Sequence, residues 1–140
     1  STATDFTEAT FDAATIGFGI RNFSDIPAAA RELHRILRPS GVLIIVELSE
    51  PTNPILHLGY KLYAGHIVPL IGRLMTEDKD AYSYLPQSIK AVPQREQMVE
   101  ILKEAGFREA FYESIFPGSC TIYVGINAAP IPFPTEDIAE

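Results

Sequence analysis

Tryptophan is absent from the 140 residues, cysteine occurs once and methionine twice. With Cys120 alone, neither an intrachain disulfide nor a cysteine-rich metal site can form within the chain. Basic side chains are scarce as well. Eleven Lys and Arg stand against 18 Asp and Glu, for a formal charge of −7. That balance argues against general nucleic-acid binding, which needs a basic face to neutralise phosphates. It also disfavours docking on anionic lipid by charge alone. Residues 1–10 have no basic start and no apolar run, so no secretory signal peptide is read there. Long hydrophobic runs are missing too. The most apolar segment, Ile55 to Met75, contains Lys61, Arg73, two histidines and Pro69, and does not read as a membrane span.

What is present is enough apolar residue, 46% of the chain, to build one core. Phe11 to Phe18 reads as a strand buried on both faces. Ser24 or Asp25 can cap the helix that follows, and Pro27 suits its first turn. Ile26, Ala29, Ala30, Leu33, Ile36 and Leu37 share one helical face, and Pro39 with Gly41 stops that helix. Val42 to Val46 is an unbroken apolar run suited to an interior parallel strand. Together these make a strand-helix-strand unit and point to the α/β class. Ile55 to Met75 reads as helix, in two pieces separated near Pro69 and Gly72. Glu77 to Tyr84 reads as loop or helix start. Gln94 to Ala105 is an amphipathic helix stopped by Gly106. Phe107 to Phe116 and Ser119 to Asn127 read as an antiparallel hairpin around Pro117-Gly118. In its second strand Cys120, Ile122, Val124 and Ile126 alternate onto one face. Residues 128–140 hold three prolines, end acidic and read as a tail.

The chemistry-bearing residues cluster after the first strand. Open parallel sheets place ligands at the carboxyl ends of their strands, and Arg21 and Asn22 follow such an end directly. Their plain alternative is a surface charge and a turn residue. Gly17-Phe18-Gly19 is not a dinucleotide fingerprint, because Asn22 occupies the place of the third glycine. Glu47 ends the second strand, where it is either a ligand or base, or a cap on the turn that follows. His34, His57 and His66 do not have the spacing of a metal set, and no metal is expected. The Ile55 to Met75 segment is either a substrate lid or ordinary core. Tyr82 and Tyr84 either face the same cavity or simply pack.

Several spaced motifs narrow the reading. F-G-I-R-N-F-S-D at Phe18 to Asp25, R-I-L-R-P-S-G-V-L-I-I-V-E-L-S at Arg35 to Ser49, and D-A-Y-S-Y-L-P-Q-S-I at Asp80 to Ile89 occur in that order. Pro93 and A-G-F at Ala105 to Phe107 follow. This set resembles the ubiquinone/menaquinone biosynthesis C-methyltransferase family (UbiE-type), over about Phe11 to Asn127. Ser40 departs from it where glycine is usual, and Gly17 where many members carry serine.

The resemblance implies an α/β fold that is half of a Rossmann-like class I methyltransferase sheet. The strands would be the fourth to seventh, in the order 4-5-7-6, with the last antiparallel and helices on the flanks. It implies a domain arrangement of residues 1–127 as the C-terminal half of a methyltransferase domain, with residues 128–140 as the Pro-rich acidic tail. The implied cofactor is S-adenosylmethionine, lined by Gly17 and Phe18 in a site that this chain completes only in part. Arg21 and Asn22 are the implied catalytic residues and a prenylated quinol the implied substrate. The family's first three strands have no counterpart in the chain, so the chain alone is expected to be inactive. Its expected setting is cytoplasmic, with transient contact at the inner membrane face, and no nucleic-acid partner. The strand at 11–18 is expected to expose an edge and drive homo-oligomer formation. A non-catalytic α/β binding module, or a methyltransferase for another small molecule, are the alternatives.

Overall fold

A computed structural model describes residues 3–75 and 81–127. Its sheet begins with β1 (Phe11–Gly17), which leads through a single tight 3-10 turn at Ile20–Asn22 into helix α1 (Ile26–Ile36). Asp25 is the cap: its Oδ1 accepts from the Ala28 N–H at 2.9 Å, and Pro27 occupies the first turn. That bond satisfies one of the four N–H groups that a helix start leaves without a partner.

Strand β2 (Leu37–Leu48) starts at once, so Leu37 opens the strand rather than closing the helix. It runs parallel to β1, and the register jumps from Phe11 opposite Leu37 to Ala13 opposite Val42. The extra residues Arg38–Gly41 bulge outward. Pro39 and Gly41 therefore shape this bulge and do not stop the helix, which has ended at Ile36. A Cβ on Gly41 would lie 2.9 Å from the Arg38 carbonyl oxygen, so the bulge closes only on glycine.

Three more helices follow, α2 (Pro54–Leu62), α3 (Val68–Met75) and α4 (Ala81–Ala91), then α5 (Glu96–Ala105) and the hairpin β3 (Glu109–Ile115) and β4 (Cys120–Ile126). The sheet order is β1-β2-β4-β3, with β4 antiparallel to both neighbours. This matches the order 4-5-7-6 expected for the half-sheet. Gly106 ends α5 in the left-handed conformation, at φ 115°.

One face of the sheet carries the core. Leu43 and Ile45 of β2 and Tyr123 of β4 pack against Ala30 of α1 and Met98 and Leu102 of α5. The opposite face, with Val42, Ile44, Val46, Ile122, Val124 and Ile126, is only half-buried. Cys120, Ile122, Val124 and Ile126 share a face as expected, and the fully covered face of β4 is the other one, bearing Thr121, Tyr123 and Gly125. One expectation changes. Strand β1 is not buried on both faces: Asp12, Ala13, Thr15 and Gly17 are exposed. It lies at the sheet edge and, among the described residues, pairs with β2 alone.

The segment from Pro54 to Met75 is one continuous helical run, not two pieces parted at Pro69. The irregularity falls earlier, in a wide π-helical turn at Tyr63–Ile67 where the Val68 N–H reaches the Tyr63 carbonyl. Such a turn re-registers the ladder just before Pro69, which has no N–H to offer it. Asn53 caps the run by accepting from Ile55 and Leu56. Of the segment read as loop or helix start, residues 77–80 lie outside the described residues, as does the tail at 128–140, and α4 begins at Ala81.

Candidate active site

The carboxyl ends of β1 and β2 lie side by side, and each contributes one charged residue. Phe18 leaves β1 with φ 53°, while its N–H donates to the Val46 carbonyl at 2.7 Å. This left-handed residue breaks the strand direction and throws the following turn across the end of β2. Ile20 anchors the turn in the core at 2% exposure. Arg21 then meets Glu47.

The pair is tightly made. Arg21 Nη1 donates to Glu47 Oε1 at 2.6 Å, and the Arg21 backbone N–H donates to Oε2 at 3.3 Å. The Leu48 N–H donates to Oε1 at 2.9 Å. Three donors thus converge on one buried carboxylate, and only one comes from the next residue of its own strand. Glu47 is therefore more than a local cap: it clamps Arg21 to the end of the neighbouring strand. Its side chain is 2% exposed and that of Arg21 16%. Nε and Nη2 of Arg21 take no hydrogen bond among the described residues and remain available to a ligand. A groove beside Arg21 is walled by Phe23, Pro27, Val92, Pro93 and Ile101.

Asn22 sits next in the turn, exposed, with its backbone N–H on the Gly19 carbonyl at 3.1 Å. Gly17 and Phe18 are exposed as well, and a Cβ on Gly17 would meet nothing within 4 Å. The four sequence-predicted residues thus share one strand end, with Glu47 joined to them. The histidines do not gather there: His34 packs edge-on to Phe107 at 5.3 Å, and the His57 ring nitrogen lies 3.1 Å from the Pro51 carbonyl oxygen.

Beyond the pair, polar side chains that the sequence reading had missed tie down the end of β2. Ser49 donates to the Gly118 carbonyl at 2.7 Å and lies 2.8 Å from Thr121, which lies 2.9 Å from Ser114. A hydroxyl has one proton to give, so Thr121 donates to Ser49 and Ser114 to Thr121. Arg95 Nη2 donates to the carbonyls of Glu50 and Gly118, at 2.6 and 3.2 Å. The available signals were Ser49 within the E-L-S motif and Gln94-Arg95 directly after Pro93.

Above this floor the helical run forms a cap. Between them lies a cavity of about 430 Å³, lined by Leu48, Leu56, Tyr60, Ala64, Ile89 and Pro117 among others. Burial, and secondarily the nearby Glu50 charge, pushes the Tyr60 phenol above its ordinary value. Among the described residues no helix is long and apolar enough to cross a membrane.

A sheet of this order with helices on its flanks forms part of the fold of S-adenosylmethionine-dependent methyltransferases of class I. It superposes on such an enzyme from Aquifex aeolicus with a TM-score of 0.56 at 15% identity, over 91% of this chain and 51% of that one. Against Haemonchus contortus phosphoethanolamine N-methyltransferase 2 the TM-score is 0.60 at 13% identity, over 89% and 35%. The family model for the ubiE/COQ5 methyltransferase family matches residues 1–127, and the chain belongs to that family. It is 42% identical over 122 residues to the demethylmenaquinone methyltransferase of Porphyromonas gingivalis, covering 87% of this chain and 50% of the relative. It is 38% identical to the mitochondrial 2-methoxy-6-polyprenyl-1,4-benzoquinol methylase of Dictyostelium discoideum, covering 87% and 39%. The chain thus spans about half the length of the curated relatives it matches.

Proposed function

We propose that residues 1–127 are the C-terminal half of a methyltransferase domain that transfers a methyl group from S-adenosylmethionine to a ring carbon of a prenylated quinol, with residues 128–140 as a tail. Family membership and the relatives' names support the reaction class. The observation that carries the site is the Arg21–Glu47 clamp at the ends of two parallel strands.

Gly17 and Phe18 fit one wall of a cofactor cleft. Their backbone is exposed at the strand end, and the space beside the Gly17 Cα is open. When bound, S-adenosylmethionine supplies an electrophilic methyl group on a sulfonium. The chain's own residues act on the quinol. Its ring carbon is nucleophilic only as the adjacent hydroxyl gives up its proton. A guanidinium such as that of Arg21 is a poor base. Its free Nε and Nη2 stabilise the developing phenolate, or hold the water that carries the proton away. Exposed Asn22 orients that water. Glu47 is a positioning residue: with three donors on its carboxylate, it holds the guanidinium in place before the substrate arrives.

The setting follows from the substrate. A prenylated quinol resides in a membrane, and Ile55, Leu58, Leu62, Leu70 and Leu74 expose apolar surface along the cap. These support transient contact at the cytoplasmic face. The net charge of −7 argues against a nucleic-acid partner.

The test joins the N-terminal half of the Porphyromonas gingivalis relative to this chain and assays labelled methyl transfer to demethylmenaquinol. Turnover is expected, and Arg21→Ala should lower kcat by about 10²–10³ with cofactor affinity kept. Undiminished kcat in that variant would overturn the assignment of Arg21. The 140-residue chain by itself, with a single wall of the cleft, should give no calorimetric signal with S-adenosylmethionine. Micromolar binding would contradict the half-site reading.

A further inference from the structure

The cavity under the cap differs in chemistry from the Arg21–Glu47 pair. At about 430 Å³ it falls within the range of ~300–1,000 Å³ usual for small-ligand sites. Its wall is carbon from Leu48, Leu56, Val68, Pro86, Ile89 and Pro117, and among the described residues no charged side chain lines it. Among the described residues the polar side chains there are the hydroxyls of Tyr60, Tyr63 and Ser119, and burial favours the neutral form of Tyr60. A quinol ring with two hydroxyls would find few partners in such a place. Hydrocarbon would lose nothing.

Gly59 of α2 lies at the exposed rim of the cavity. A Cβ there meets nothing within 4 Å, so a larger side chain has room to reach over the opening. The cavity also lies at the reactive end of the sheet. Leu48 follows Glu47 directly, and α4 contributes Pro86 and Ile89 to the cavity while its C-terminal Ala91 lines the groove beside Arg21.

We infer that this cavity takes the isoprenoid tail of the substrate whose ring meets Arg21, an assignment that rests on the quinol reading above. The ring stays among the polar groups at the strand ends, and the first prenyl units thread between the cap and the end of β2.

The chain has no tryptophan, so Tyr63→Trp places a lone fluorescent reporter on the cavity wall. Farnesol titrated into this chain should give a saturable blue shift. Ala64→Phe, which fills the cavity, and Gly59→Leu, which narrows it while improving the helix, should each weaken binding by about tenfold or more. A shift that does not saturate, or equal affinity in both variants, overturns the proposal. The completed enzyme separates the two readings. Gly59→Leu should raise KM for a prenylated quinol about tenfold more than for the tail-less ring. Equal changes for the two substrates overturn the tail assignment and leave the methyltransferase reading standing. No turnover of any quinol by the unsubstituted enzyme, with farnesol binding retained, overturns the quinol reading and the tail assignment with it.

Discussion

Glu47 carries its charge at the end of a buried strand with 2% of its side chain open to water. A carboxylate in that position is tolerated because Arg21 and two backbone N–H groups meet it. Removing the cation alone strands the anion. Arg21→Met should therefore destabilise the chain by about 3–5 kcal/mol. The double variant Arg21→Met with Glu47→Leu should recover most of that loss, because an apolar pair needs no compensation. Urea unfolding of the four members of this cycle reads the coupling. Additive effects would show that the pair is not one unit. Arg21 and Asn22 were legible as candidates from their place after a strand. The clamp was not, because 26 residues separate its partners and only the parallel pairing of β1 and β2 brings them together.

Two glycines behave in opposite ways at the scale of elements. Gly41 sits in the bulge of β2, where a methyl group would press on the Arg38 carbonyl at 2.9 Å. Backbone cannot swing aside as a flexible side chain can, so Gly41→Ala should cost about 1–3 kcal/mol. Gly59 has open space around it, and Gly59→Ala should gain about 1 kcal/mol from helix propensity. Opposite shifts in unfolding midpoint check the pair, and a shared sign would refute the reasoning. The start of helix α1 was readable to within a residue because its signals are local, Asp25 and Pro27; its end was not, because Leu37 is claimed by the strand pairing with Phe11. The π turn at Tyr63–Ile67 was not. Proline placed the break at its own position, whereas the ladder adjusts in the turn before it.

The whole molecule leaves two apolar surfaces short of cover. Among the described residues strand β1 has one neighbour, and the sheet face bearing Ile44, Val46, Ile122 and Val124 is half-buried. An open edge offers unpaired N–H and C=O groups to another chain. The 140-residue chain should therefore form dimers or larger oligomers through residues 11–18, seen by light scattering at high concentration. A lysine at exposed Ala13 should shift the population toward monomer. A clean monomer before the substitution would remove the edge as a self-association site. Exposure of this edge is a property of assembly, so hydrophobic pattern alone had read β1 as buried on both faces.

Local chemistry sufficed for the α/β class, and the spaced motifs for the family, whose resemblance implied the strand order. Caps, stops and apolar runs act over a few residues, and the spaced motifs kept their order along the chain. The tertiary structure alone decided which sheet face is covered. On β4 the apolar alternates face the thinly covered side, while Thr121 and Tyr123 take the core side with α5 and the polar network. Alternation reports that two faces differ, but which one receives a helix depends on where the connections cross. Pairing Arg21 with Glu47, and closing an apolar cavity over Leu48, likewise required strands and helices distant in sequence to meet.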